Sequence, residues 1–218
     1  MSSPEQIIIG VDFDNTIASY DEGMHSIALE LGLIQPETPK IKKEVRDAIR
    51  NLPNGELRWQ GLQGIVYGPR MHEAQVSEGC LAFFQEWADK GAKLHIVSHK
   101  TEFANYDETH TSLRQAAMGW LEKNGFLNST GGVLAQADVF WESTRIEKVK
   151  RIAQLGCSHF IDDLEEVFAD PDFPVGLECI LYAPKFDPSH SSTLNVAKDW
   201  NQVTGYVSSG SKAQVPGI

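Results

Sequence analysis

The chain has 218 residues, a net charge of −11 from 30 acids against 19 lysines and arginines, and a hydrophobic fraction of 41%. That length holds one α/β domain with an insertion, or two small domains; the acidic balance argues against a nucleic-acid polymer or an anionic membrane as partner, because both need a basic footprint. No run approaches the ~18 apolar residues of a membrane span, and Cys80, Cys157 and Cys179 are too scattered to suggest a disulfide framework or a zinc site. The polar segment Met1 to Gln6 carries no targeting pattern, so the cytoplasm is the expected compartment. A small anionic substrate remains compatible with this charge if a metal and a few cations gather locally.

In chain order, Ile7, Ile8, Ile9 and Val11 form a β-branched run that reads as a strand buried on both faces. The run ends in Asp12-Phe13-Asp14-Asn15-Thr16. In an open α/β sheet ligands bind at the carboxyl ends of the strands, so a buried strand that ends in acids presents them at the mouth of a cleft. Apolar spacing predicts helices over Tyr20 to Leu33 and over Thr38 to Leu52, the second with a basic exposed face. From Pro53 to His72, six glycines and prolines predict loops and short pieces.

Alternation then resumes. Val76 to Lys90 predicts a helix ending at Gly91, and Lys93 to Val97 a strand stopping at Ser98. A polar loop from His99 to His110 leads into a helix closed by Gly125. Val139 to Trp141 predicts a strand, Thr144 to Leu155 a helix, and His159 to Ile161 a strand ending in Asp162-Asp163. Ile180 to Tyr182 reads as a further strand, Thr193 to Val203 as a last helix, and 208–218 as a disordered tail.

This pattern predicts a Rossmann-like α/β fold, a mostly parallel sheet with helices on both faces and its functional strand ends on one edge. Residues 20–72 interrupt the alternation and read as a small, mainly helical insertion after the first strand, leaving 1–19 and 73–207 as the core.

Four polar signals fall at strand ends or a helix start: Asp12 with Asp14, then Ser98, then Lys148, then Asp162 with Asp163. Each has an ordinary alternative: an Asx turn, an N-cap, a solvated helix lysine, an acidic helix start. Their convergence on one edge of one sheet is harder to reach by accident. Gathered carboxylates repel unless a cation neutralises them, and hard carboxylate oxygens suit Mg²⁺, which accepts substrate phosphate as a further ligand. A serine hydroxyl and a lysine ammonium beside such a metal would hold phosphate oxygens. One carboxylate could then attack phosphorus, and a second, two residues on, could protonate the leaving alcohol and later activate water.

Asp12-Phe13-Asp14-Asn15-Thr16, Ile96-Val97-Ser98, Lys148 and Phe160-Ile161-Asp162-Asp163 together resemble the four ordered motifs of the haloacid dehalogenase-like superfamily. The resemblance implies Asp12 as nucleophile and Asp14 as general acid and base, with Ser98 and Lys148 on the phosphate. It also implies Mg²⁺ on Asp12, the Asp14 carbonyl and Asp162, with Asp163 assisting either directly or through water. Thr16 and His99 adjoin these positions and join the phosphate-binding candidates. An acid at position 14 resembles the phosphatase and phosphotransferase branches, since halide leaves without a proton. Lys150 and Arg151 compete with Lys148 for the basic role; the interval from Lys148 to Asp162 leaves room for one helix and a turn, and Lys150 would point ~200° away around that helix. Receiver domains order their acids, hydroxyl and lysine differently. The long interval between Asp12 and Ser98 is consistent with a cap over the active site, and the resemblance implies that a cap inserted there selects substrate, with Arg46, Arg50, Arg58, Trp59, Tyr67, Arg70 and His72 as available contacts. The expected activity is Mg²⁺-dependent hydrolysis of a small phosphorylated metabolite, a nucleotide or sugar phosphate; phosphoryl transfer to another acceptor and a catalytically idle binding protein are the alternatives.

Overall fold

The computed structural model describes residues 6–105, 110–187 and 192–209. The chain opens with β1 (Ile8–Val11), leaves it through β2 (Ala18–Ser19), and runs through α1 (Asp21–Glu30), α2 (Lys42–Arg50) and α3 (Gly55–Tyr67). A short 3₁₀ turn, Met71–Glu73, returns it through β3 (Gln75–Val76), which pairs with β2. Then follow α4 (Cys80–Asp89), β4 (Lys93–His99), α5 (Leu113–Lys123), β5 (Val139–Glu142), α6 (Arg145–Leu155), β6 (His159–Asp162), α7 (Glu165–Phe168), β7 (Glu178–Tyr182), β8 (Asn195–Ala197) and α8 (Trp200–Ser209). Among the described residues no helix is long and apolar enough to cross a membrane.

Six strands form one parallel sheet in the order β5-β4-β1-β6-β7-β8. The central strands carry near-continuous apolar sequence because both faces are covered: Ile9, Val11, Ile96, Val97, Phe160, Ile161 and Ile180 are fully buried. Val97, Val149, Ile152, Phe160, Phe168 and Phe173 share one core cluster, while Phe83, Phe84, Phe126 and Trp200 stack in a second, aromatic one. Gly10 is required by this packing, because a Cβ there would lie 2.6 Å from the Phe160 ring. From β1 the chain builds β4 and β5 on one side and β6, β7 and β8 on the other. The order therefore reverses between β1 and β6, and the crevice beyond their carboxyl ends is the position that open α/β sheets use for ligands.

The chain divides into two compact units. The first, Met1–Ile17, Val76–His99 and Gly125–Ile218, holds the large sheet. The second, Ala18–Gln75 with Lys100–Asn124, is helical, and its own core includes Tyr20, Met24, Ile27, Val45, Ile49, Trp59, Leu62, Val66, Met71 and Trp120. The insertion expected over 20–72 thus shares its unit with α5, which sequence alternation assigns to the core.

Three local expectations change. The stretch Pro53 to His72 is not loop: α3 occupies most of it, with Trp59, Leu62 and Val66 buried at helical spacing. Gly64 serves packing, since a Cβ there would come within 3.1 Å of the Ala104 Cβ, whereas one on Gly61 would meet nothing within 4 Å. The helix expected over Thr193 to Val203 is instead a three-residue strand, β8, followed by α8. Its apolar residues Val196, Trp200 and Val203 happen to fall at helix-like intervals. Of the expected disordered tail, Ser208 and Ser209 end α8 and 210–218 lie outside the described residues.

Candidate active site

Asp12 directly follows β1, and its N–H still donates to the Ile161 carbonyl (2.8 Å), which carries the β1–β6 ladder one residue past the strand and fixes the acid at the crevice. The chain then turns sharply, with Asn15 in the left-handed region at φ 61°. Asparagine tolerates that conformation better than other residues with a Cβ. Its amide reaches back to donate to Asp163 Oδ2 (3.2 Å). On the neighbouring strand, Ser98 sits buried near the end of β4 and donates to Asp12 Oδ1 at 2.9 Å.

Lys148 arrives on α6, whose N-terminus is set by Thr144, its hydroxyl accepting the Glu147 N–H. The phase of α6 buries Lys148, Val149 and Ile152 and leaves Lys150 exposed. Arg151 is occupied elsewhere, paired with Glu142 at 2.7 Å and stacked on Phe140. The Lys148 ammonium, 2% exposed, donates to Asp12 Oδ1 and to Asp162 Oδ2, both at 2.6 Å. Asp162 closes β6 fully buried, its other oxygen accepting the Leu164 N–H at 3.0 Å.

Burial alone would drive the Lys148 ammonium toward neutrality, but the charges of Asp12 and Asp162 and their hydrogen bonds outweigh it and raise its pKa above the usual lysine range. Asp162 behaves oppositely. Burial pushes its carboxyl up to about 7 and the Asp12 charge adds to this, with Lys148 and the Leu164 N–H only partly compensating. Between its ordinary 3.8 and about 7, the folded chain without metal therefore holds a proton that the unfolded chain has released. Stability of the metal-free protein is expected to fall as pH rises through that interval. Asp162→Asn should flatten this stretch of a melting-temperature profile; an unaltered slope would contradict the assignment.

One oxygen each of Asp12, Asp162 and Asp163 lie within 4.8 Å of one another. Three carboxylates this close, one of them fully buried, exceed the charge of the single ammonium bonded to them, and an all-oxygen anionic donor set suits a hard divalent cation. The residues thus fit Mg²⁺, which Asp12, Asp162 and Asp163 would hold. Asn15 orients the third of these acids, so Asn15→Ala is expected to weaken Mg²⁺ binding roughly 10–100-fold, as loss of a residue that orients a ligand does. Calorimetric titration with Mg²⁺ measures it, and wild-type affinity in the variant would refute the role.

Asp14 lies half-buried on the same turn, outside the cluster of three acids. Thr16 is fully buried, its carbonyl accepting from Ser77 Oγ (2.6 Å) while its own Oγ1 has no hydrogen-bond partner among the described residues. His99 is exposed at the end of β4, where Nε2 donates to the Ser143 carbonyl at 2.9 Å. Of the polar loop that follows, Tyr106 and Asp107 lie outside the described residues. Asn15 and the Leu164 N–H were not singled out from sequence; the signal available for the first was an asparagine directly after Asp-x-Asp, where a strand must turn.

No family model and no curated protein sequence matches the chain. Solved structures do. A haloacid dehalogenase-like family hydrolase from Streptococcus pneumoniae, 12% identical, aligns over 92% of this chain and 98% of its own with a TM-score of 0.57. A crystallised dehalogenase, 10% identical, aligns over 94% and 98% with a TM-score of 0.55. An L-2-haloacid dehalogenase, 12% identical, aligns over 94% and 100% with a TM-score of 0.50. At these identities the likeness is one of fold, and the chain has the haloacid dehalogenase-like fold.

Proposed function

We propose that the protein is a Mg²⁺-dependent phosphatase that hydrolyses a small soluble phosphomonoester, a nucleotide or sugar phosphate, through an aspartyl-phosphate on Asp12. The observation that carries this reading is the clamp on Asp12: Ser98 and Lys148 both donate to Oδ1, so the carboxylate is held in one orientation at the crevice. Mg²⁺ bound by Asp12, Asp162 and Asp163 would supply positive charge to the phosphoryl oxygens. The Asp12 carboxylate attacks phosphorus and the ester P–O bond breaks as Asp14 transfers its proton to the departing alkoxide. Lys148, with an N–H beyond the two on Asp12 and Asp162, would donate to a phosphoryl oxygen as charge accumulates there, and the Ser98 O–H would turn from Asp12 to do the same. Asp14, now ionised, takes a proton from water as that water attacks the aspartyl-phosphate; inorganic phosphate leaves and Asp12 is regenerated. The net charge of −11 supports a small substrate met at one cationic point over an extended polyanion.

Dehalogenases stand among the similar structures, and carbon–halogen cleavage is the competing reading. Asp14 separates the two, because a halide leaves without a proton and an alkoxide does not. Phosphate release from a panel of phosphorylated metabolites, with and without Mg²⁺, tests the proposal alongside halide release from L-2-haloacids. Metal-dependent phosphate release supports it; halide release alone overturns it.

A further inference from the structure

The helical unit contains a cavity that the chemistry above does not use. Its volume is about 560 Å³, within the range of small-molecule sites. It lies between the segment that follows α3 and the exposed face of α5. Met71 and Trp120 form its apolar floor; both are buried, and the indole is fixed by its Nε1 donating to the Ala74 carbonyl at 2.9 Å.

Its polar lining is His72, His110, Gln115 and Lys123, all exposed, with Thr111 and Ser112, and among the described residues no carboxylate lines it. That is notable in a chain with 30 acids against 19 lysines and arginines. Glu73, 3.8 Å from His72 Nε2, is bonded to Arg70.

A second observation concerns Gly119, in the interior of α5 and on the cavity wall. Glycine there weakens the helix. Packing does not demand it, since a Cβ at this position would meet nothing within 4 Å. What the absent side chain preserves is the open volume.

We propose that this cavity binds a small organic anion: an apolar or aromatic body seated on Met71 and Trp120, with a carboxylate, phosphate or sulfonate met by Lys123, His72 and Gln115. The site goes beyond the phosphatase reading and does not depend on it. The probe is anilinonaphthalene sulfonate, an aromatic body with one anionic group, titrated by fluorescence into the full chain. The expected result is saturable binding of one dye per chain. Gly119→Leu should abolish it by filling the cavity, and Lys123→Glu should weaken it about tenfold. Gly119→Ala should weaken binding while raising the melting temperature, a pair of effects that a purely structural glycine would not give. Asp12→Asn should bind the dye as the wild type does. Absence of saturable binding, binding indifferent to both Gly119→Ala and Lys123→Glu, or loss in Asp12→Asn would each overturn the proposal. Lys123→Glu is a surface change that keeps the test valid if Gly119→Leu fails to fold.

Discussion

Asp12→Asn is expected to abolish Mg²⁺-dependent phosphate release, a loss on the order of 10⁴-fold or more, while the protein stays folded. The amide oxygen can still accept from Ser98 and Lys148, which both bond to Oδ1 in the wild type, so what disappears is the nucleophilic carboxylate. Asp14→Asn is expected to behave differently. It should slow hydrolysis of alkyl phosphates by roughly 10²–10⁴-fold, the usual worth of a general acid. Aryl phosphates with acidic phenols as leaving groups should suffer much less in formation of the intermediate, because such phenols depart without a proton. Steady-state and burst kinetics on the two substrate types measure this split. Equal losses on both would remove Asp14 from the role of acid, and an active Asp12→Asn would remove Asp12 from the role of nucleophile.

Lys148→Met should be the most destabilising single change in the site. The ammonium is buried and bonds two carboxylates at 2.6 Å each, and removing one partner of a buried ion pair leaves uncompensated charge at a cost of about 3–5 kcal/mol. In a chain of this size that corresponds to a fall of about 10 °C in melting temperature. Mg²⁺ should recover part of the loss, because a divalent cation among Asp12, Asp162 and Asp163 replaces the missing charge. Activity should remain depressed by roughly 10²–10³-fold with the metal present, since the donor to the phosphoryl oxygens is gone. Thermal melts with and without Mg²⁺ check the first pair of effects and turnover checks the last. A Lys148→Met protein that melts like the wild type would mean that the ion pair contributes no stability.

Much of this was legible in the sequence because burial writes itself into composition. Ile7 to Val11 reads as a strand buried on both faces, and the acids that end it read as presented groups for the same reason; Lys93 to Val97 and His159 to Ile161 read as strands ending in Ser98 and in Asp162-Asp163. Helix phase favours Lys148 over Lys150 by ~200° of rotation without deciding between them, and the structure buries the first and exposes the second. Glycine misled at α3, where Gly61 and Gly64 suggest breaks: a glycine tolerated for close approach to Ala104 has the same letter as one that ends a helix. Strand β8, three residues long, is too short for any period to register. Grouping α5 with the inserted helices depends on contacts between segments distant in the chain, which local patterns do not encode. The bond from Asn15 to Asp163 is of the same kind: composition offers the asparagine, but only the left-handed turn aims it at an acid just past the end of β6.

The most direct test of the central claim is to look for the phosphoryl group on Asp12. Asp14→Asn, lacking the base that activates water, is incubated with Mg²⁺ and an aryl phosphate, quenched in acid, and examined by intact and peptide mass spectrometry. One phosphoryl group on the peptide that carries Asp12, released by hydroxylamine as an acyl phosphate must be, is the predicted result. Turnover that leaves Asp12 unmodified, or a phosphoryl group on any other residue, would contradict the account.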